Sequence, residues 1–395
     1  MNFAQGRSPR LQAAVVLLFL CSALLFTPAY GSGADSVVTV AVESGLTHLS
    51  ITKPGPYTLN VLVLDLFAKN LQVESYRPVG LVPTSQQVLG NDREGHRVVA
   101  AINADFFSFK SGWPVNNQVV NGEWVVGLQT QRSHLAIDSR GKPHIERLGF
   151  NGWLRPNSGR TYPIAGVNDV HRNNAIILHT SFSDTATSFW GPGMTYLLKL
   201  VSRQWSVGDT LKMVVNKNSV ADMTHILIDQ AVLWIGGGSS VWSAREDVRV
   251  GDTVLVFLGL QPELRNVRTI VGGAGTVLYD GKPTSDSVNL KESVSVTFLR
   301  ARHPRTFVGF DRDTTKLFFC TVDGRQQSSI GMSYQEMADF LLSLGVWNAI
   351  NLDGGGSTTM VVRGKIVNSP SDKTGERPVA NSLQVITVTP SLGGK

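Results

Sequence analysis

One glycine-rich segment combines residue types that could act on an anionic substrate. The segment reads Asp353, Gly354, Gly355, Gly356, Ser357, Thr358 and Thr359. Glycines let a ligand approach the backbone closely and let successive N–H groups form an anion-binding concavity, and the hydroxyls add further donors. A glycine run alone is more often a tight turn, but the adjoining carboxylate and hydroxyls favour a binding site here.

Two other places along the chain offer carboxylates. Asn103 and Asp105 follow an apolar run over 98–102, so they lie at the end of a predicted strand with their side chains on one face. Asp323 follows a second apolar run over 318–322. Either place could also be a simple turn, an Asx turn at the first and a hairpin turn at the second.

Arg302 and Arg305 flank His303 and Pro304. Arginine binds phosphate oxygens bidentately and stays charged at any relevant pH, so this pair could hold a phosphate. A solvent-exposed basic turn is the alternative interpretation.

Composition excludes several classes of chemistry. The eight histidines lack the spacing of a zinc site, and no Gly-Xaa-Ser-Xaa-Gly elbow of an esterase occurs. The formal net charge is +6 without a long Lys/Arg cluster, which favours an anionic small substrate over nucleic acid. Oxygen-rich positions could still hold calcium.

Strand patterns dominate the elements that must position these residues. β-branched runs broken by glycine turns predict hairpins over 119–126, 277–282 and 361–367. One helix is predicted from Ser333, with Glu336 as its capping-box partner and Gly345 after its end, followed by a buried strand over 346–352. The fold class is α+β, with β-rich mixed sheets, few helices and a single main catalytic domain.

The predicted organisation has three parts. Residues 1–34 resemble a secretory signal peptide, with Arg7 and Arg10 before an apolar run and small residues after it. Residues 35–94 form an N-terminal β-rich segment that ends in a polar connector over 83–94. Residues 95–390 form the main domain, with an inserted lobe at about 180–265. Cys320 is predicted to be a core residue.

Taken in order, these blocks resemble the phosphodiester glycosidase family from about residue 98 to residue 383. The matching blocks are 102–107, 272–273, 305–309, 322–325, 349–360, 368–370 and 376–381. The resemblance implies hydrolysis of the glycosyl–phosphate bond of a sugar-1-phosphodiester, giving a free sugar and a phosphomonoester. At position 105 this chain has aspartate where relatives often have glycine.

The resemblance also suggests roles for the site residues. Asp353 is the first candidate catalytic carboxylate, and Asp323 or Asp105 is the second, because glycoside hydrolysis usually needs two. The candidates for substrate and phosphate binding are Asn103, Arg302, Arg305, Gly354, Gly355, Gly356, Ser357 and Thr358.

The expected partner is a phosphorylated glycan or sugar-1-phosphodiester, and the expected location is secreted, periplasmic or in the cell envelope. No stable membrane span is expected after cleavage of the signal segment. Two alternatives remain open from the sequence. One is a non-catalytic binding module for phosphorylated or acidic envelope glycans, and the other is a calcium-dependent exopolysaccharide factor.

Overall fold

The structure is a computed structural model that describes residues 35–130, 132–183, 193–219 and 225–388. The predicted signal segment 1–34 lies outside these residues. The predicted fold class is confirmed, because the chain forms a single β-rich domain with 49% strand and 12% helix.

The described residues contain twenty-seven strands and five α-helices. The strands are β1 (Ser36–Glu43), β2 (Leu46–Lys53), β3 (Tyr57–Asp65), β4 (Leu71–Tyr76), β5 (Val82–Pro83), β6 (His96–Asn103), β7 (Gln118–Val120), β8 (Glu123–Val126), β9 (Arg132–Asp138), β10 (Pro143–Arg155), β11 (Tyr162–Ile164), β12 (Gly166–Val167), β13 (Ile176–His179), β14 (Gly193–Leu200), β15 (Thr210–Asn218), β16 (Gln230–Gly236), β17 (Thr253–Gln261), β18 (Val267–Gly272), β19 (Thr276–Tyr279), β20 (Lys282–Pro283), β21 (Arg305–Asp311), β22 (Lys316–Val322), β23 (Val346–Asn351), β24 (Met360–Val362), β25 (Lys365–Ile366), β26 (Pro378–Val379) and β27 (Ser382–Val388). The helices are α1 (Thr84–Asn91), α2 (Trp242–Asp247), α3 (Asp286–Lys291), α4 (Val296–Arg300) and α5 (Tyr334–Ser343).

The strands form three large sheets and one small one. An eight-stranded sheet has the order β1-β2-β3-β22-β21-β23-β19-β20, and a five-stranded sheet has the order β25-β24-β6-β27-β4. A twelve-stranded sheet runs β12-β13-β16-β14-β15-β17-β10-β9-β18-β7-β8, with β11 beside β10, and β5 pairs with β26. Within the described residues only β12 and β13 pair in parallel, so the sheets are mixed but almost entirely antiparallel.

Strands from the N-terminal segment complete sheets built by later strands. β3 pairs with β22, from Asp65 opposite Lys316 to Leu59 opposite Val322. β4 pairs with β27, which itself pairs with β6. The predicted boundary near residue 95 and the lobe at 180–265 stay predictions.

Several local predictions are confirmed. The hairpins predicted from glycine turns are β7–β8, β19–β20 and β24–β25. Helix α5 has the predicted capping box, in which the Ser333 side chain accepts from Glu336 N and the Glu336 carboxylate accepts from Ser333 N. Gly345 follows it in a left-handed conformation, and β23 comes next. Cys320 is fully buried in the core against α5 and β23.

The prediction of a polar connector over 83–94 is wrong, because most of that stretch forms α1. Pro83 precedes the first turn, where proline is well tolerated. Val88 packs on Val98 and Ala101 of β6. The buried Gln87 amide donates to the carbonyls of Val82 and Val379 at 2.8 and 3.0 Å. Because part of the buried face of α1 is therefore polar, the sequence does not show the periodic apolar residues that predict a helix.

Candidate active site

The ends of two strands from different sheets meet at the candidate site. β6 ends at Asn103, and β23 ends at Asn351. Just beyond them, the backbone N–H of Asp353 donates to the carbonyl of Ala104 at 2.8 Å. This hydrogen bond places the segment that carries Asp105 beside the start of the glycine-rich loop.

Asn103 fixes both ends of that loop. Its side-chain amide donates to the carbonyl of Asp353 at 2.7 Å, and its Oδ1 accepts from the N–H of Thr359 at 3.1 Å. The same oxygen accepts from the Thr306 hydroxyl at 2.7 Å. Since Asn103 is fully buried, these contacts make it a residue that positions the loop.

Asp353 is the half-buried carboxylate at the start of the loop. Its Oδ1 accepts from the N–H of Gly354 at 2.9 Å. Burial raises the pKa of Asp353 to about 6, although the Ser357 hydroxyl, the Gly354 N–H and the charge of Arg377 act in the opposite direction. Asp353 is therefore largely ionised at neutral pH and protonated in mild acid.

Asp105 is more deeply buried, with 1% of its surface exposed. Asn116 donates to both of its carboxylate oxygens, from the side chain at 2.6 Å and from the backbone at 3.2 Å. Burial nevertheless raises the pKa of Asp105 to about 8, and the charge of Asp353 raises it further. The two carboxyls thus interact, and their pKa values lie on either side of neutrality.

The glycines of the loop are required by close packing. A Cβ on Gly354 would lie 2.7 Å from the carbonyl oxygen of Pro304, and Gly355 has a positive φ of 63°. The N–H groups of Gly355, Ser357 and Thr358 donate to Pro304, Gly354 and Gly355 carbonyls, respectively. These amides are therefore engaged inside the protein, as is that of Gly354.

Two arginines that were not among the predicted site residues approach the loop. Arg377 donates to both carboxylate oxygens of Asp372, at 2.7 and 3.0 Å, and to the Ser357 hydroxyl at 3.4 Å. The exposed Arg325 guanidinium lies over Gly355, where an added Cβ would be 3.1 Å from its Nη2. Both arginines fall in blocks that carry the family resemblance, which is the sequence signal that could have identified them.

Asp323 lies near the other end of the loop. Its carboxylate accepts from the Asn368 side chain at 3.0 Å and from the N–H of Ser369 at 3.0 and 3.1 Å. Asn368 also donates to the carbonyl of Thr358 and accepts from Met360 N, so it links Asp323 to the glycine loop. Burial raises the pKa of Asp323. These contacts make Asp323 an anchor for the segment that follows β25.

The two predicted phosphate-binding arginines are engaged elsewhere. The buried guanidinium of Arg305 donates to the carbonyls of Met332, Phe298 and Ala301 at 2.8 to 3.0 Å, although its Nη1 has no hydrogen-bond partner among the described residues. Arg302 forms an ion pair with Glu336 at the start of α5. The structure thus brings together Asp353, Asp105 and the glycine loop, while these two side chains brace α4 and α5.

Two features of the described residues bear on cofactors and location. No group of three or more histidine, cysteine, aspartate or glutamate side chains is arranged to hold a metal ion in the described part of the chain. No helix within the same residues is long and apolar enough to cross a membrane.

The fold and site define a β-rich domain with two interacting carboxyls beside a glycine loop and arginines. Residues 210–386 match the family model described as phosphodiester glycosidase, which confirms the resemblance. The chain is 47% identical over 99 residues to the N-acetylglucosamine-1-phosphodiester alpha-N-acetylglucosaminidase of Bos taurus, covering 25% of this chain and 18% of that protein. It is 42% identical over 87 residues to an SPbeta prophage-derived protein of Bacillus subtilis, covering 22% of this chain and 13% of that protein.

A solved structure supports the fold over nearly the whole chain. A hypothetical protein from Synechocystis matches with a TM-score of 0.66 and 20% identity, covering 90% of this chain and 64% of that one. The alignments to the curated relatives span much less, at most 22% of the length of those proteins.

Proposed function

We propose that this chain hydrolyses the glycosyl–phosphate bond of sugar-1-phosphodiesters, releasing a free sugar and a phosphomonoester. The match of residues 210–386 to the phosphodiester glycosidase family model supports hydrolysis of this kind of bond. The observation that carries the proposal is the interacting pair of Asp105 and Asp353, whose pKa values of about 8 and about 6 differ because of unequal burial. Pairs of titratable groups whose pKa values are separated by their environments in this way are typical of acid–base sites.

In this proposal the ionised Asp353 carboxylate acts at the anomeric carbon. Water adds to that carbon and gives a proton to the Asp353 carboxylate, the bond from the carbon to the phosphate oxygen breaks, and the phosphomonoester leaves with the bonding electrons and takes up the proton of Asp105. Asp105, which holds its proton at neutral pH, is the second carboxyl. Asp323 is the less favoured candidate, because the charge of Asp353 acts on Asp105, whereas the Asp323 carboxylate holds Asn368 and Ser369 of the segment after β25.

Arg377 and Arg325 take the phosphate-binding role that the sequence assigned to Arg305. Their guanidinium groups flank Ser357 and Gly355, respectively, whereas Arg305 is buried among carbonyls. A cation near the leaving phosphate stabilises the negative charge that develops there as the bond breaks. Since the N–H groups of Gly354, Gly355, Ser357 and Thr358 donate within the protein, the arginines and hydroxyls are the better anion donors.

We also propose that the chain is exported, on the strength of the signal-peptide pattern over 1–34. The substrate would then be a phosphorylated glycan or sugar-1-phosphodiester outside the cytoplasm or in the cell envelope. Fractionation of expressing cells, followed by intact mass, tests this. A chain that stays in the cytoplasm at its full mass of 42.8 kDa would contradict it.

The decisive experiment compares the purified chain with Asp353→Asn on a panel of sugar-1-phosphodiesters, N-acetylglucosamine-1-phosphodiester among them, and follows the release of free sugar. Asp313→Asn is the matched control, because this aspartate is exposed in the turn between β21 and β22. We expect turnover by the wild type and the control and its loss in Asp353→Asn, with unchanged thermal unfolding. Glycan binding without turnover by the wild type would favour the binding-module alternative instead.

A further inference from the structure

An exposed phenylalanine lies at the edge of the candidate site. Phe109 has 71% of its surface exposed, and its ring centroid is 5.8 Å from the Arg377 guanidinium carbon. The Phe107 ring packs against it at a centroid distance of 4.8 Å. What distinguishes Phe109 from other exposed apolar side chains is its position beside a charged group of the candidate site.

The loop that carries Phe109 is fixed by its own hydrogen bonds. Ser108 N donates to the carbonyl of Trp113 at 2.9 Å, and Gly112 N donates to the carbonyl of Ser108 at 2.8 Å. At its base, the Asn116 side chain donates to the Asp105 carboxylate. One short loop therefore presents both a carboxyl of the candidate site and the exposed ring.

The contacts of the site follow a definite order. Asp353 interacts with the Ser357 hydroxyl, Ser357 accepts a hydrogen bond from Arg377, and Arg377 faces the ring of Phe109. A sugar-1-phosphodiester has a matching order, which is the anomeric carbon, the phosphate and then the aglycone. With the anomeric carbon at Asp353 and the phosphate at Arg377, the aglycone reaches Phe109.

We propose that Phe109 is a specificity-determining residue that stacks on an aglycone containing a ring with an apolar face. This inference rests on the proposed function. An exposed aromatic face gains by covering apolar surface from water and by ring stacking. A methyl aglycone is too small to cover the ring, so the contribution of Phe109 appears only with ring-bearing substrates.

The test compares two sugar-1-phosphodiesters that share one sugar and differ in the aglycone, benzyl or methyl. We expect the wild type to have the higher kcat/KM for the benzyl substrate, and Phe109→Ala to reduce the benzyl-to-methyl ratio by roughly 3- to 10-fold. Phe109→Trp should restore the ratio. Phe67→Ala is the matched control, because Phe67 is 72% exposed in the turn after β3, and it should leave the ratio unchanged.

A second measurement separates this inference from the proposed function. Binding of benzyl phosphate and methyl phosphate is measured by calorimetry with the wild type and Phe109→Ala. Turnover with an unchanged ratio in Phe109→Ala would overturn the inference and leave the proposed function standing. Absence of turnover, together with selective loss of benzyl phosphate binding in Phe109→Ala, would overturn the function and support the aromatic subsite. Equal binding of both phosphates by both proteins would overturn the inference whatever the turnover.

Discussion

Gly356 gives the sharpest test of the role of Arg377. A Cβ at this position would lie less than 3.0 Å from Asp372 Oδ1 and from Arg377 Nη2. Gly356 is not among the glycines with positive φ, so alanine adds a methyl group without backbone strain. The two obstructing atoms are the ends of flexible side chains. We therefore expect Gly356→Ala to fold while it displaces the ion pair of Asp372 and Arg377.

The magnitude follows from what the displaced arginine would lose. A hydrogen bond to a charged group contributes about 1.5–3 kcal/mol, so kcat/KM on a sugar-1-phosphodiester should fall roughly 10- to 150-fold. The ion pair of Arg377 and Asp372 is partly exposed, and such pairs contribute about 1 kcal/mol or less to stability. The assay is therefore steady-state release of sugar, with urea unfolding as the measure of folding.

Gly364→Ala is the control, because it strains the backbone without displacing a neighbouring side chain. Gly364 has a φ of +74° in the turn between β24 and β25, and nothing lies within 4 Å of an added Cβ. Alanine there costs about 1 kcal/mol of backbone strain and should leave kcat/KM unchanged. If Gly356→Ala keeps at least half of the wild-type kcat/KM while folded, Arg377 is not the phosphate ligand.

Other predictions follow from the carboxyl pair and its support. The pH profile of kcat/KM should rise near pH 6 as Asp353 ionises and fall near pH 8 as Asp105 loses its proton, and the alkaline fall should disappear in Asp105→Asn; a profile unchanged in that variant would remove Asp105 from the acid role. Both folded pKa values lie above the ordinary aspartate value, so the stability that these two carboxyls contribute should decrease from about pH 4 to about pH 8. Denaturant unfolding of the wild type and of Asp105→Asn across this range checks the sign, and a stability difference between them that grows in favour of the wild type as the pH rises would contradict it. Asn103→Ala removes three buried hydrogen bonds and should cost about 3 kcal/mol or more in urea unfolding; a loss below about 1 kcal/mol would show that the loop does not depend on it.

Local rules predicted the elements that flank the site. The capping box at Ser333 and Glu336 and the glycine after α5 are signals contained within a few residues, so they could be interpreted without knowledge of the tertiary structure. The hairpins at glycine turns were predictable for the same reason. Helix α1 was not predictable in this way, because Gln87 is buried through hydrogen bonds to β5 and β26, which are distant neighbours that composition does not reveal.

The predicted phosphate-binding arginines show a similar limit to what the sequence can predict. Arg302 and Arg305 lie beside a proline, and because arginine binds phosphate oxygens bidentately, the sequence predicts a phosphate site there. In the structure, Arg305 turns toward the carbonyls of α4, and Arg302 turns toward Glu336. Side-chain direction decides such a role, and the block around Arg377 carries the family resemblance but does not indicate the contact that this side chain makes with Ser357.

The carboxyl pair depends both on local sequence signals and on tertiary contacts. Sequence identifies Asp105 and Asp353 separately, each just after a strand, but it does not indicate that these strands meet or which carboxyl becomes more buried. In an exposed turn both groups would titrate near the ordinary value of about 3.9, and neither would hold a proton at neutral pH. The difference between their pKa values depends on the meeting of the segments that follow β6 and β23. Asn103, at the end of β6, stabilises that meeting through its bonds to Asp353 and Thr359. The loop and the acid–base pair therefore depend on one buried amide, so loss of that amide should impair catalysis as well as stability.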